Sequence, residues 1–308
     1  MQNVGSFAET RRLRSGDLIA YLMGLLLLLP VAVLSFVRDR CIQWAAALAY
    51  YTLIGLVPLL VALFSFIKAV GLHRGLTPFI VETIGAGSPE VAGQIVRFID
   101  HTNVGAAGIL STLGAVLAVF AILGNAELCL NTLWGGIPGR ALAGKVRAFT
   151  GVALATPLML LLAVAGTTFL RRDTAAYLFF EQLYLGKLVL YALRLIPYVL
   201  LWVSFTMLYT VLPNRPVRTR SAVIGAVVAS FFWQLAQWGY VSFVIKLVRY
   251  SHVYGALWQL PILLAWVYVA WSIILFGAEV CRAHHQEVDA RLTLRRAGRQ
   301  RPDTARAG

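Results

Sequence analysis

The sequence predicts an all-α polytopic membrane protein, with six transmembrane helices and an additional N-terminal interfacial or re-entrant helix. Three observations carry that prediction. Of 308 residues, 59% are hydrophobic and only 13% charged, where a soluble domain has about a quarter of its residues charged. The mean hydropathy is +0.76. Several apolar runs reach the roughly 20 residues that a spanning helix needs, and Pro and Gly clusters punctuate them. No soluble domain fits in what remains.

Residues 1–40 read as a cytoplasmic N-terminus holding the apolar segment Leu18–Val37, interrupted by Pro30. If that segment crossed the bilayer, Arg11, Arg12 and Arg14 would be driven outside, so an interfacial or re-entrant helix is preferred over a seventh span. A cleaved signal peptide is ranked last, because no convincing small-x-small site follows the apolar core. Residues 41–282 form the transmembrane domain, with spans expected at about 43–67, 105–130, 148–170, 188–212, 219–245 and 255–281. GGIPG at 135–139 and PNRP at 213–216 are the stop signals at two membrane exits. The stretch 71–103 is polar enough to leave the bilayer. Within it Ser88-Pro89-Glu90 has the chemistry of a helix start. Val91, Ile95, Phe98 and Ile99 then repeat with helical period, so a periplasmic amphipathic helix is expected. Residues 283–308 are expected to be a disordered basic cytoplasmic tail.

Charge fixes the expected orientation. One side collects Arg11, Arg12, Arg14, Arg38, Arg40, Arg140, Lys145, Arg147, Arg215, Arg218, Arg220 and the seven arginines from Arg282 to Arg306, eighteen in all. The other side holds eight: Lys68, Arg74, Arg97, Arg171, Arg172, Lys187, Lys246 and Arg249. Acids divide almost evenly, so the bias lies in Lys and Arg, which is what the positive-inside rule reads. Both termini are expected in the cytoplasm.

Ionisable residues inside spans are rare and point by default to function, with structural pairing as the standing alternative. Three stand out: Glu127, Arg194 and Glu279. Glu127, Asn131 and Trp134 fall at i, i+4 and i+7 and so share a helix face. The helix from Gly105 to Trp134 would rise about 44 Å against a hydrocarbon core of about 30 Å, which puts Glu127 near the cytoplasmic boundary. Glu279 lies at similar depth. Arg140, Arg147, Arg215, Arg218 and Arg220 are available there as partners. Three readings follow. The acids fix loops by ion pairs or stay partly hydrated at the boundary, or they line a polar vestibule where Arg215, Arg218 and Arg220 meet anionic headgroups, or Glu127 or Glu279 couples to protons. Arg194 has snorkelling to the outer interface as its plain account. Gln234, Gln237 and Tyr240 draw a further polar line on the fifth span, of the kind that more often bonds between helices than binds substrate.

Catalytic signatures are missing. No GxSxG, HExxH or P-loop pattern occurs, so any transport must run on a gradient, on a partner or downhill. Cys41, Cys129 and Cys281 lack metal-like spacing. HHQEVD, His284 to Asp289, lies just past the last span and reads as a solvated juxtamembrane helix in preference to a metal site. The expectation is no catalytic residue, no metal and no cofactor.

AAALAYYTLIGLVPLL (45–60), LNTLW (130–134), LYTVLPN (208–214), VYGALW (253–258) and WVYVAWSIILFGAE (266–279) together resemble the YihY/virulence factor BrkB family of bacterial inner-membrane proteins. The likeness runs from about residue 40 to 285, with the motifs in order and at comparable spacing. Glu127 and Asn131 fall where the family tends to carry an acid and an asparagine, and Glu279 closes its Gly-Ala-Glu signature. The resemblance implies six spans, both termini inside and residence in the inner membrane. The family has carried a tRNA-processing ribonuclease label, which the lack of a metal-binding cluster in this sequence disfavours. An envelope role is the expectation that remains: a lipid or lipid-precursor transporter, flippase-like, without its own ATPase. The alternatives are a non-catalytic envelope scaffold with protein partners and, below it, a membrane-bound ribonuclease. Anionic phospholipid or a lipid precursor is the expected partner, and nucleic acid is not.

Overall fold

The computed structural model describes residues 28–69, 93, 97, 106–136, 138–169, 195–248 and 259–300. Seven helices occupy them: α1 (Leu28–Arg38), α2 (Cys41–Ala69), α3 (Ala106–Leu133), α4 (Leu142–Phe169), α5 (Ile196–Val211), α6 (Thr219–Val248) and α7 (Gln259–Gln300). Within α2, α3, α6 and α7 lie four stretches long and apolar enough to cross a membrane, while α1 and the described part of α5 are shorter apolar helices. Residues 18–27, most of 71–103, including the Ser88-Pro89-Glu90 start, and Arg194 lie outside the described residues.

Several expected boundaries move. Pro30 lies within the described helix α1. Helix α1 ends in a sharp corner at Asp39-Arg40, with Arg40 at φ +56. Helix α4 begins six residues earlier than expected, so Lys145 and Arg147 ride on its first two turns. The largest correction concerns the tail: residues 283–300 are helical, not disordered, because α7 continues through them for a total of 42 residues. Nucleation is the costly step in helix formation, and an existing helix extends easily through Ala, Leu, Arg, Gln and Glu. At 1.5 Å per residue α7 is about 63 Å long, twice a hydrocarbon core.

The helices pack as a ring. Helix α2 lies against α3, α4 against α5, α5 against α6, α6 against α7, and α7 returns to α2; of the neighbours around the ring α3 and α4 touch least, and α7 brushes α3 and α5 across it. Large apolar side chains cover the outside, among them Leu34, Leu110, Leu117, Leu154 and Phe231, each at least 65% exposed. Such a surface suits lipid and not water. Inside, small residues allow close crossings, as is usual when no hydrophobic gradient drives helices together. A Cβ on Gly225 would collide with the Gly277 carbonyl oxygen, and one on Gly277 with the Tyr209 hydroxyl. On the α2–α3 side, a Cβ on Gly55 would meet Ile122 Cδ1 at 3.0 Å. Hydrogen bonds tie these contacts laterally. Trp271 Nε1 donates to Thr52 Oγ1 at 3.0 Å, joining α7 to α2, and the Tyr209 hydroxyl donates to the Ile274 carbonyl at 2.8 Å, joining α5 to α7.

A buried charge layer as candidate functional site

One end of the ring gathers the start of α2, the exits of α3 and α5, the starts of α4 and α6, and the point where α7 leaves the bundle. Two carboxylates are sealed within it: Glu127 is 1% and Glu279 0% exposed. An isolated buried carboxylate is costly unless it is paired and hydrogen-bonded, so their partners decide what this end is.

Glu127 Oε1 accepts from the backbone N–H of Arg140 at 3.1 Å and lies 3.8 Å from Nη1 of the same arginine. Chain geometry makes this possible. Helix α3 stops at Leu133, and Gly135 and Gly136, at φ +103 and +74, turn the chain back on itself. That left-handed conformation is one that glycine adopts without steric penalty. Arg140 thereby returns beneath Glu127 and reaches past it. Its guanidinium donates to three carbonyl oxygens at the end of α5: Val211 at 2.7 Å, Leu212 at 2.9 Å and Pro213 at 2.7 Å. The last carbonyls of a helix have no partner within the helix, and a cation there also meets the negative end of the helix dipole. Asn131, one turn beyond Glu127 and 1% exposed, accepts the backbone N–H of Asn214 on Oδ1 at 2.8 Å. Asn214 Nδ2 in turn donates to the Pro138 carbonyl at 2.9 Å. Glu127 Oε2 and Asn131 Nδ2 are buried without a hydrogen-bond partner among the described residues.

Glu279 belongs to a second knot. Arg282, one turn later on α7, places Nη2 2.6 Å from Glu279 Oε2, a close ion pair outside hydrogen-bond geometry. The same guanidinium donates to Asp39 in the α1–α2 corner and to the Leu133 carbonyl at the exit of α3. The Cys41 thiol donates to Glu279 Oε1 at 3.5 Å. Arg282 thus holds three segments of chain. Burial raises the pKa of Asp39, but the hydrogen bonds and charges of Arg38 and Arg282 outweigh it and leave the carboxyl below its ordinary value.

The arginines expected at headgroups divide. Arg215 is exposed and lies over the Trp134 ring, 5.7 Å from its centroid, and Arg220 is exposed. Arg218 is spent on Asp289, with Nη2 2.6 Å from Oδ1. The histidine pair is a correction. His284 and His285, expected on a solvated helix, are only 8% and 5% exposed. The reason is that α7 keeps its contact with the start of α6 beyond the bundle. Ser221 Oγ and His284 Nδ1 are 2.9 Å apart, His285 accepts the Arg218 backbone N–H at 3.4 Å, and its ring stands edge-on to Trp134. No group of three or more His, Cys, Asp or Glu is placed to hold a metal ion among the described residues.

Sequence reasoning singled out the two acids, Asn131 and Arg140, and these lie in the layer. It missed Asp39, Asn214 and the histidines. Asn214 carried a signal, because it stands in LYTVLPN and bonds to LNTLW across 83 positions. The polar line of the fifth span lies elsewhere: Gln234 and Gln237 line a cavity, and the Tyr240 ring packs on Trp266 with centroids 4.5 Å apart.

Apolar helices of membrane-crossing length, bare to lipid outside and cross-tied by buried ion pairs at one end, define an integral membrane protein. The Virulence factor BrkB family matches residues 32–301, and the chain belongs to it. It is 33% identical over 255 residues to a UPF0761 membrane protein of Halorhodospira halophila, covering 80% of this chain and 54% of that protein, about half its length. A UPF0761 membrane protein of Aeromonas salmonicida is 32% identical over 79% of this chain and 84% of its own. One from Haemophilus influenzae is 26% identical over 80% and 90%. No solved structure matches.

Proposed function

We propose that the protein moves a lipid or lipid precursor across the bacterial inner membrane, without catalysing a reaction and without an ATPase of its own. In this reading α2 to α7 are six spans, the charge layer faces the cytoplasm, and both termini lie there. The supporting observation is the pairing of a sealed layer with a basic rim. Glu127 and Glu279 are buried at the end where the exposed Arg215, on the α5–α6 loop, and Arg220, on the first turn of α6, stand at the surface. Replacing a buried ion pair by apolar residues of similar volume is often neutral or stabilising. Its presence here therefore calls for more than stability, and a layer that must open is one such demand. A basic rim at the cytoplasmic surface attracts anionic headgroups.

The test is reconstitution in vesicles carrying a labelled anionic phospholipid, with and without an applied gradient. The wild-type protein should move label above empty vesicles, and Glu127→Leu should insert normally yet fall to the empty-vesicle rate. Full movement in that variant, or none in the wild type under any gradient, rejects the reading. A stable envelope partner on pull-down that is indifferent to Glu127→Leu would favour a scaffold instead.

A further inference from the structure

Beyond the charge layer, α4, α5, α6 and α7 enclose a cavity of about 450 Å³. We infer that it is a binding site for a fatty-acyl chain together with the ester or amide carbonyl that joins the chain to its headgroup.

Size and place come first. Ligand sites run from about 300 to 1,000 Å³ and are mostly apolar with a few placed polar groups. On α5 the lining extends from Pro197 to Leu208, a rise of about 16 Å, and it stops one turn short of the carbonyls that Arg140 holds. The cavity therefore lies at the depth of lipid chains, short of the charged end. Among the described residues its wall carries no charge, which suits an uncharged part of the occupant with any phosphate held outside.

The lining is also graded. A column of rings follows the cavity: Tyr209 stacks on Phe205 at 6.3 Å, Phe205 meets Trp233 at 5.8 Å, and Trp233 meets Trp266 at 5.6 Å. Because α5 and α6 run antiparallel with Phe205 opposite Trp233, Gln234 lies at the level of Ser204 and Gln237 a turn further from the charge layer. Leu208, Phe205 and Ile274 make the end nearest that layer wholly apolar. Ser204 Oγ already donates to the Leu200 carbonyl at 2.8 Å, so among the described lining residues the amides of Gln234 and Gln237, together with the indole N–H groups of Trp233 and Trp266, are the donors left for an occupant. Amides at this depth are expensive unless bonded. A carbonyl at the amide band with a hydrocarbon chain running to the apolar end satisfies both halves of the cavity.

This inference names the substrate of the proposed transporter and rests on that reading, but its test does not depend on flux. Protein is placed in vesicles of phosphatidylethanolamine and phosphatidylglycerol, doped with a phospholipid whose acyl chain bears a diazirine. It is then irradiated, and the adducts are mapped by peptide mass spectrometry. Adducts are expected on Phe205, Leu208 and Trp233 as well as on outward residues such as Trp238. Ser204→Phe, which sets a ring in the cavity at the level of the amides, should lower the cavity adducts about tenfold and leave those on Trp238 unchanged. Should that variant fail to fold, Gln237→Leu, exposed and with little packing to lose, should lower them about threefold, the size of a membrane hydrogen bond. Adducts confined to outward residues, or cavity adducts indifferent to both substitutions, overturn the inference. Labelling retained without flux rejects transport and leaves the binding site standing. Flux retained without cavity labelling does the reverse.

Discussion

The two ends of the α5–α6–α7 sector solve opposite problems with the same helices. At the charged end, polar side chains are buried and tied to backbone, with Glu127 Oε2 and Asn131 Nδ2 left over among the described residues: one arginine closes the last turn of α5, and another holds α7, α3 and the α1–α2 corner together. Some 6 to 22 Å further along, the same helices separate around a cavity faced by indoles and two glutamine amides. What differs is the role of the side chains. In the charge layer they hold backbone in place, while around the cavity they surround space. A membrane protein that changes shape needs both, a latch that defines the closed state and a chamber that the latch protects. The contrast locates rigidity at one end and adaptability in the middle.

Breaking the latch should produce the largest effect. Arg282→Met keeps much of the side-chain volume but leaves Glu279 sealed without its cation and Asp39 without its partner across the corner. Removing one member of a buried pair costs roughly 3–5 kcal/mol. Thermal unfolding in detergent should show the loss directly, and Arg282→Met with Glu279→Gln should recover part of it. A double variant as unstable as the single one would show that the carboxylate is not the source of the cost.

Next in size is Gly277→Ala. The added Cβ meets the Tyr209 hydroxyl and Ala229, so α6 and α7 must part or Tyr209 must give up its bond to Ile274. Overpacking of this kind costs about 1–3 kcal/mol. Because Gly277 lies between latch and cavity, the same substitution sharpens the comparison: the melting temperature should fall, and acyl-chain labelling at Phe205 should change with it. A variant of unaltered stability would mean that the crossing has slack.

The sequence showed some of this and hid the rest for identifiable reasons. Helices, stops and the basic end were legible because they follow from hydropathy, from Pro and Gly, and from counting arginines. Glu127 and Glu279 were conspicuous because a carboxylate beside a long apolar run is rare. Arg140 was one of five candidate partners, and only the glycine turn at 135–136 decides among them. The disordered tail and the solvated histidines were misread for one reason: local composition sees Arg and His after a membrane exit, but not that α6 begins alongside and buries one face of α7. The cavity was invisible, since Gln234 and Gln237 look the same whether they bridge two helices or face a space between them.

The smallest effect concerns acid. Asp39 is held below the ordinary aspartate range because Arg38 and Arg282 favour its charged form over the opposing cost of burial. A carboxyl depressed in the folded state contributes stability that is present above its unfolded pKa, near 4, and is lost as pH falls through the folded value. Stability in detergent should therefore carry this contribution in full near neutral pH, independent of pH there, and lose it below about pH 4. Asp39→Asn should remove that part of the acid sensitivity while lowering stability at neutral pH. Since Asp39 is 20% exposed, water screens the pair, and the neutral-pH loss should stay near 1 kcal/mol or below, smaller than that of Arg282→Met. Equal losses in the two variants would mean that Arg282 acts through the corner and not through Glu279, and that the latch closes on α1 instead of within α7.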